Sequence, residues 1–289
     1  MNLAFLILAH KNPEQLQMLV DYLHKNGSSV FVHIDKKSAG DFALFMEANK
    51  EKKNVFIYSR YKVYWGGYSQ IRATFFLLEQ AIKNYPFDFV SLLSGQDAPV
   101  QPLSAFEDFL KGHRNSAFLH WHKVPAADIW IDNGGLDRIQ YFWITAFPKS
   151  LGFLFNRLLV VIHAIQKRMK ILKKFDLPLF GGANWFVLNK EMAVYADRYV
   201  KEHPGFMRKF RNTRCADEII MQTILLNSPY RDDIINDAMR FIDWESGPEY
   251  PRIFRSEDTS RLSKTKYFFA RKFDIDVDVK VLENLYSSL

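Results

Sequence analysis

Residues 3–35 read LAFLILAHKNPEQLQMLVDYLHKNGSSVFVHID, and their apolar pattern decides the fold that we expect. Uninterrupted apolar runs at 3–9 and 30–34 predict two buried strands, and the spacing of leucines between them predicts a helix that begins near Pro13. A strand, a helix and a strand that ends in an acid are typical of the opening of a doubly wound nucleotide-binding fold. Ligands of such folds lie beyond the carboxyl ends of the strands, so Asp35 is a candidate nucleotide contact, with a simple turn aspartate as the alternative.

The chain continues with two more predicted strands, at 54–58 and 89–93, each followed by a polar loop. The first two strands are not joined by a G-x-G-x-x-G sequence, which argues against a dinucleotide ligand. Trp65 precedes two glycines and could stack on a ring or be buried in the core. Asp97 lies in a proline-rich loop directly after a core strand, where we expect a ligand contact.

Residues 116–147 alternate aromatic and polar positions around an Asp-Asn-Gly-Gly turn at 132–135, which predicts strands and a hairpin. His120 and His122 would point the same way from one strand, but no third metal ligand is near them in sequence, so we do not expect a metal there. Asn184 and Trp185 follow two glycines and resemble a sugar-binding edge, with a turn amide and a core tryptophan as the alternative.

The stretch 215–229 reads CADEIIMQTILLNSP and places two carboxylates at the head of an apolar helix that ends before Pro229. Asp217 and Glu218 could simply stabilise the first helical turn. A carboxylate held there could also take a proton from a hydroxyl group.

The chain has 289 residues, a formal net charge of +7 and one cysteine, so an internal disulfide is excluded and a reducing compartment is expected. The positive charge suggests an anionic partner. It is concentrated in 151–175, an apolar segment with a basic second half, for which we weigh an anionic membrane surface against a core helix with a solvated end. The apolar N-terminus is interpreted as a buried strand rather than a signal peptide.

Near the C-terminus, Arg271 and Lys272 lie between aromatic residues and are placed to hold a diphosphate. The aspartates at 274, 276 and 278 do not form a calcium loop, because the required glycine position is Val279 and the twelfth position is Leu285.

In this order the motifs resemble those of one known family, the core-2/I-branching β-1,6-N-acetylglucosaminyltransferases, which also contains the peptide O-xylosyltransferases. The resemblance covers nearly the whole chain and is closest to compact bacterial members. Its motifs are Ala9-His10, Val32-His33-Ile34-Asp35, Trp65-Gly66-Gly67, Leu92-Leu93-Ser94-Gly95-Gln96-Asp97, Gly181-Gly182, Trp185-Phe186, Asp217-Glu218, Asp243-Trp244 and Phe269-Ala270-Arg271-Lys272.

The resemblance implies a GT-A type α/β fold with a mainly parallel central sheet flanked by helices, and an inverting transferase that uses a UDP-sugar without a metal ion. Glu218 falls on the family's general base. Other positions fall on residues that bind the substrates: His10, Asp35 and Trp65 for the nucleotide, Arg271 and Lys272 for the diphosphate, and Asp97, Asn184 and Trp185 for the donor and acceptor sugars. Arg252, Arg255 and Arg271 compete for the role of second diphosphate cation.

We therefore expect one glycosyltransferase domain over 1–289, with a nucleotide-binding half at 1–115 and an acceptor-side half with a diphosphate-binding tail at 116–289. The expected donor is UDP-N-acetylglucosamine, before UDP-xylose or UDP-glucose, and the expected acceptor is a glycan or a lipid-linked saccharide. Nucleic acid is not expected as a partner. The expected location is the cytoplasm, peripheral to the membrane. A non-catalytic protein that binds glycans or membranes is the alternative, and a metal-dependent enzyme built on His120 and His122 is a third.

Overall fold

The computed structural model describes residues 1–145, 152–245 and 250–289, and the side chains of 152–156 are not part of that description. Its strands are β1 (Leu3–Ala9), β2 (Ser29–Ile34), β3 (Val55–Tyr58), β4 (Phe89–Ser94), β5 (Asp97–Pro99), β6 (Ala117–Leu119), β7 (His122–Val124), β8 (Leu179–Gly181), β9 (Phe186–Asn189), β10 (Ile234–Ile235), β11 (Arg240–Ile242) and β12 (Phe269–Arg271).

The helices are α1 (Pro13–Lys25), α2 (Ala43–Asn49), α3 (Tyr68–Asn84), α4 (Leu103–Lys111), α5 (Leu136–Gln140), α6 (Gly152–Met169), α7 (Lys190–Glu202), α8 (Pro204–Lys209), α9 (Ile220–Leu226), α10 (Thr259–Ser263) and α11 (Val279–Ser288). Among the described residues, no helix combines the length and hydropathy needed to cross a membrane.

A seven-stranded sheet forms the centre of the molecule, in the order β10-β6-β9-β4-β1-β2-β3. The pairs β1–β2, β1–β4, β2–β3 and β6–β10 are parallel, whereas β9 runs antiparallel to both of its neighbours. The predicted α/β fold with a mainly parallel central sheet flanked by helices is therefore confirmed.

The alternating side chains of β1 explain why helices cover both faces of this sheet. Ala4 and Leu6 pack into one apolar cluster together with residues of α3, α7 and α9. Phe5 and Ile7 point the opposite way and pack with residues of α1 and α4. The continuous apolar run of β1 thus supplies two separate cores.

A second sheet, in the order β11-β12-β5, carries the C-terminal part of the chain back onto the main body. Its β12 is parallel to β11 and antiparallel to β5, which pairs Arg271 with Asp97. Residues of α11 cover it and form a third apolar cluster with Ala98, Phe254 and Phe273. This small sheet fixes the place of Arg271 and Lys272.

The hairpin predicted for 116–147 is wrong. Strand β6 pairs with β9 and β10, and β7 pairs with β8, so the two strands do not pair with each other. The Asn133–Gly135 turn leads into α5 instead, with Gly134 and Gly135 at φ values of 60° and 90°. The ring of Trp130 packs against Gly135 and Gly181, where an added Cβ would lie 2.1 and 2.4 Å from it. Strands β6 and β7 therefore pair with strands from distant parts of the chain rather than with each other.

Helix α9 begins slightly later than the sequence suggests. Asp217 and Glu218 lie in a separate 3-10 turn, Ala216–Glu218, and α9 itself starts at Ile220. The helix predicted within 151–175 is present as α6, which covers Gly152–Met169. Residue 151 lies outside the described residues.

Candidate active site

Two of the residues predicted to bind a nucleotide follow the carboxyl ends of adjacent strands, as the pattern of 3–35 predicts. His10 directly follows β1 and Asp35 directly follows β2. The Asp35 carboxylate is buried and accepts hydrogen bonds from the backbone N–H groups of Lys37, at 3.0 Å, and Val63, at 3.1 Å. Burial lowers the pKa of His10, and the neighbouring Lys11 and Lys272 cations lower it further. His10, Asp35 and Lys272 are therefore brought together at one edge of the sheet.

Trp65 is exposed to 67%, which excludes the core alternative for its ring. The next residue, Gly66, has φ +63° and lies against Cys215; its carbonyl oxygen accepts a hydrogen bond of 2.7 Å from the Cys215 N–H. Cys215 immediately precedes the turn that carries Asp217 and Glu218. The Trp65 segment thus connects the sheet edge that carries His10 and Asp35 to the turn that carries Asp217 and Glu218.

The Glu218 carboxylate is partly open to solvent, with 36% of the side chain exposed, and accepts a hydrogen bond of 2.6 Å from Nη1 of Arg138. Burial raises the pKa of Glu218, although the Arg138 cation opposes the shift. A carboxylate with a raised pKa is a better proton acceptor near neutral pH than an ordinary one.

Asp217 is the buried member of the pair. Its Oδ2 accepts a hydrogen bond of 2.7 Å from Nε2 of Gln70, and its Oδ1 is buried without a hydrogen-bond partner in the described part of the chain. Burial, and then the charge of Glu218, raise the pKa of Asp217 to about 7. Both carboxylates are thus shifted in the direction that favours proton transfer near neutral pH.

Arg138 was missed by sequence reasoning. It lies in α5 and bridges Glu218 to Asp132, which accepts a hydrogen bond of 2.9 Å from its Nε. Its guanidinium also lies 4.1 Å from the centroid of the Trp130 ring. No local motif marks it, because the residues that it contacts come together only through the tertiary fold.

Asp97 lies at the centre of a buried cluster. It accepts hydrogen bonds from the Ser94 N–H at 2.7 Å, from Arg271 at 3.4 Å and from Arg240 at a shorter distance. The side chains of Asp97 and Arg240 are 0% and 1% exposed. Direct contact of Asp97 with a sugar stays a prediction; in the structure this buried carboxylate holds Arg240 and Arg271.

Trp185 belongs to the same cluster. The guanidinium groups of Arg240 and Arg271 lie 4.6 and 4.4 Å from its ring centroid, so these two cations are held by an aromatic ring as well as by Asp97. Asn184, its neighbour in sequence, lines a small cavity together with Thr74, Asp217 and Met221. Stacking of Trp185 on a sugar stays a prediction.

Lys272 is half-buried and is more accessible than Arg271, and burial lowers its pKa. The segment that carries Arg252 runs beside it: the Lys272 N–H donates to the Arg252 carbonyl oxygen at 3.4 Å, and the Phe254 N–H donates to the Lys272 carbonyl oxygen at 2.9 Å. Arg252 contacts Glu245, Glu257 and Asp258, whereas Arg255 is exposed. Of the three arginines considered as the second diphosphate cation, Arg252 is therefore the one whose backbone is hydrogen-bonded to that of Lys272.

In the described ranges 1–145, 152–245 and 250–289, no group of three or more His, Cys, Asp or Glu side chains is arranged to hold a metal ion. The rings of His120 and His122 lie 6.1 Å apart, and burial lowers the pKa of each. His122 packs edge-to-face on Trp130 at 4.5 Å. The metal requirement of the reaction itself stays a prediction.

The chain belongs to the Core-2/I-Branching enzyme family, whose profile matches residues 3–135 and 156–266. Among its curated relatives, xylosyltransferase 1 of Homo sapiens is 24% identical over 98% of this chain and 30% of the relative. Xylosyltransferase sqv-6 of Caenorhabditis briggsae is 25% identical over 98% of this chain and 36% of the relative. The chain spans about a third of the length of these relatives.

Among solved structures, the apo form of mouse xyloside xylosyltransferase 1 superposes over 93% of this chain and 97% of its own, with 9% identity and a TM-score of 0.38. This likeness adds nothing to the argument from sequence. The described residues show a mixed α/β fold with a mainly parallel central sheet, and the GT-A type is the fold that the family resemblance implies.

Proposed function

We propose that this protein transfers a sugar from a UDP-sugar to a hydroxyl group of a glycan or lipid-linked acceptor, with inversion and with Glu218 as the general base. The observation that carries the proposal is the Glu218 carboxylate, partly exposed and with a raised pKa, beside the nucleotide edge of a parallel sheet. Family membership supports the same reaction class.

The proposed step needs one proton acceptor and one region of positive charge. Glu218 takes the proton of the acceptor hydroxyl as its oxygen forms a bond to the anomeric carbon. The bond between that carbon and the phosphate oxygen breaks, and UDP leaves with the bonding electrons. The Lys11 and Lys272 cations both act on His10, and Lys11 also pairs with Asp274; on this side of the site they can stabilise the departing diphosphate.

Asp217 supports this step because burial and the charge of Glu218 both raise its pKa, which disfavours two negative charges in the pair. Two adjacent ionised carboxylates would repel each other, and the burial of Asp217 favours its protonated form. A proton retained on Asp217 would limit the negative charge beside the more exposed Glu218.

The donor sugar is the finer part of the proposal. UDP-N-acetylglucosamine is our first candidate, and the relatives' name, xylosyltransferase, makes UDP-xylose the first competitor. We further propose that no divalent metal takes part, because fixed cations of the chain can take over the role of a metal at the diphosphate.

Thermal unfolding with UDP, GDP, CMP and several UDP-sugars, each with and without EDTA, tests the nucleotide site. A ligand at about one hundred times its dissociation constant adds roughly 2.7 kcal/mol to the free energy of unfolding. We expect stabilisation by UDP and by one UDP-sugar that survives EDTA. No shift with any nucleotide would favour a non-catalytic glycan- or membrane-binding protein, and a shift abolished by EDTA would favour a metal-dependent enzyme.

Glu218→Gln tests the base. We expect UDP stabilisation to be kept and transfer to fall by about 10²- to 10⁴-fold. The matched control is Glu47→Gln, at an exposed site in α2, which should leave both readouts unchanged. Transfer by Glu218→Gln within about tenfold of wild type would remove Glu218 from the mechanism.

A further inference from the structure

The described part of helix α6 exposes most of its large apolar side chains, with Leu159 and Ile162 half-buried, while two of its polar side chains face the protein. His163 packs against Tyr141 and Trp143, and the Gln166 side chain exchanges hydrogen bonds with the backbone of Phe142. Gln166 is buried. A helix on the surface of a water-soluble protein normally has the opposite arrangement.

Exposed apolar residues are concentrated in α6 and the residues that follow it. Val160 and Met169 are 69% and 66% exposed, and the rest of this set, which we name the α6 apolar face, is also exposed. Its members are Leu158, Val160, Val161, Ile165, Met169, Ile171 and Leu172. Single exposed apolar residues are common, but a concentration of seven within residues 158–172 is typical of an interaction site.

Charge identifies the partner. The segment 152–175 contains six basic residues and no acidic residue. Lys167 is paired with Asp137, and Lys173 donates to the carbonyl oxygens of Arg211 and Asn212, so these two cations are engaged with the protein. Arg168, Lys170 and Lys174 are exposed beside the α6 apolar face.

We propose that the α6 apolar face and its exposed cations bind the surface of an anionic lipid membrane. An amphipathic helix that lies in the membrane interface buries its apolar side among the acyl chains and holds its cations at the level of the lipid phosphates. A protein partner would explain the apolar residues, but it would not require three exposed cations in a segment without an acid.

The position of α6 links this surface to the candidate active site. Lys167 pairs with Asp137, which is adjacent in α5 to Arg138, the partner of Glu218. A protein docked through α6 would therefore hold α5 close to the membrane, where a lipid-linked acceptor would be found.

Vesicle co-sedimentation tests the proposal without an assay of transfer. Wild-type protein should bind vesicles of phosphatidylcholine with 30% phosphatidylglycerol (about one anionic lipid in three) and should bind pure phosphatidylcholine vesicles at least about tenfold less well. Binding should weaken as salt is raised, since the lipid charge is screened.

Two independent variants change the two parts of the surface. Arg168→Gln, Lys170→Gln and Lys174→Gln together should weaken binding to the anionic vesicles on the order of 100-fold. Val160→Ser, Val161→Ser and Ile165→Ser together should weaken it by at least about tenfold. All six positions are exposed in the protein, so we expect both variants to unfold at the same temperature as wild type when no vesicles are present.

Matched controls remove the same chemistry elsewhere. Lys25→Gln, Lys53→Gln and Lys264→Gln remove three exposed cations, and Leu44→Ser with Ile131→Ser removes two exposed apolar residues, at 87% and 103% exposure. Both controls should bind vesicles like wild type. The proposal is overturned if wild type does not bind the anionic vesicles, if the controls lose as much binding as the α6 variants, or if α6 mediates a dimer in solution instead.

Discussion

The clusters of arginine and carboxylate around Asp97 and around Glu218 differ in their access to water. In the Asp97–Arg240–Arg271 cluster the ion pair is 0% and 1% exposed, and an aromatic ring and a backbone carbonyl complete its contacts. In the Asp132–Arg138–Glu218 cluster the paired side chains of Arg138 and Glu218 are 18% and 36% exposed. The comparison teaches that similar residue types serve two purposes: the Asp97–Arg240 pair is closed to water, whereas the Glu218 carboxylate is open enough to exchange a proton with its surroundings.

The closed cluster should dominate stability. Arg240→Met leaves the buried Asp97 charge without its main partner, and we expect a loss of about 3–5 kcal/mol in the free energy of unfolding, measured by denaturant titration. Arg138→Met is the matched change in the open cluster, and its cost should be about 1 kcal/mol, because water can replace the lost contact. Equal losses in the two variants would abolish the distinction between the clusters.

The second largest effect concerns pH. The pKa of Asp217, about 7 in the folded protein, lies above the value of about 3.9 for an unfolded aspartate. The folded state therefore binds more protons between these values, so this group's contribution to stability is complete below about pH 4 and is lost as the pH rises to about 7.

Asp217→Asn keeps an acceptor for Gln70 and cannot ionise. Relative to this variant, wild type should lose stability on the order of 2–4 kcal/mol between pH 4.5 and 7.5, followed by thermal unfolding across that range. A difference that does not change with pH would show that Asp217 titrates normally.

Variants of Lys272 and Arg271 should differ as the two clusters do, one in ligand binding and the other in stability. Lys272→Gln should weaken UDP binding about 10- to 100-fold with little change in stability, since it removes a charged hydrogen-bond donor from the accessible side. Arg271→Gln, its neighbour in the closed cluster, should mainly reduce stability. Isothermal titration with UDP, paired with denaturant unfolding, measures both. The reverse pattern would assign the diphosphate to Arg271.

The smallest effect is expected from the charge next to the base. Arg138→Gln removes the cation that opposes the rise in the pKa of Glu218, so the acid limb of the pH–rate profile should move to higher pH. The loss of activity on the acid side should be on the order of tenfold or less. Arg138→Lys keeps the charge and should keep the profile close to that of wild type. An unchanged profile in Arg138→Gln would deny any influence of Arg138 on the base.

The parts of the fold that sequence predicted correctly are those with strong local patterns. The runs at 3–9 and 30–34 became β1 and β2, and His10 and Asp35 follow them as expected, because a parallel sheet collects its strand ends at one edge. The pair Asp217 and Glu218 was likewise visible as acids next to an apolar helix.

The parts that were missed depend on distant partners. Arg138 bonds to Glu218 across 80 residues and Arg240 to Asp97 across 143, and neither position carries a local signal. The hairpin prediction for 116–147 was wrong for the same reason, because β6 and β7 find their partners in β9, β10 and β8. Periodicity describes an element's burial, but not which strand or side chain it will meet.

The packing of Trp130 onto Gly135 and Gly181 has a consequence for how this sequence can vary. Trp130 supports Arg138, so a side chain at either glycine would disturb the environment of Glu218 by moving a ring rather than by touching a substrate. In a library of random variants selected for activity, Gly135 and Gly181 should tolerate as little change as the proposed base itself. Gly27 and Gly40 have open space around them, so Gly40 should accept most residues and Gly27 should be restricted only by its positive φ.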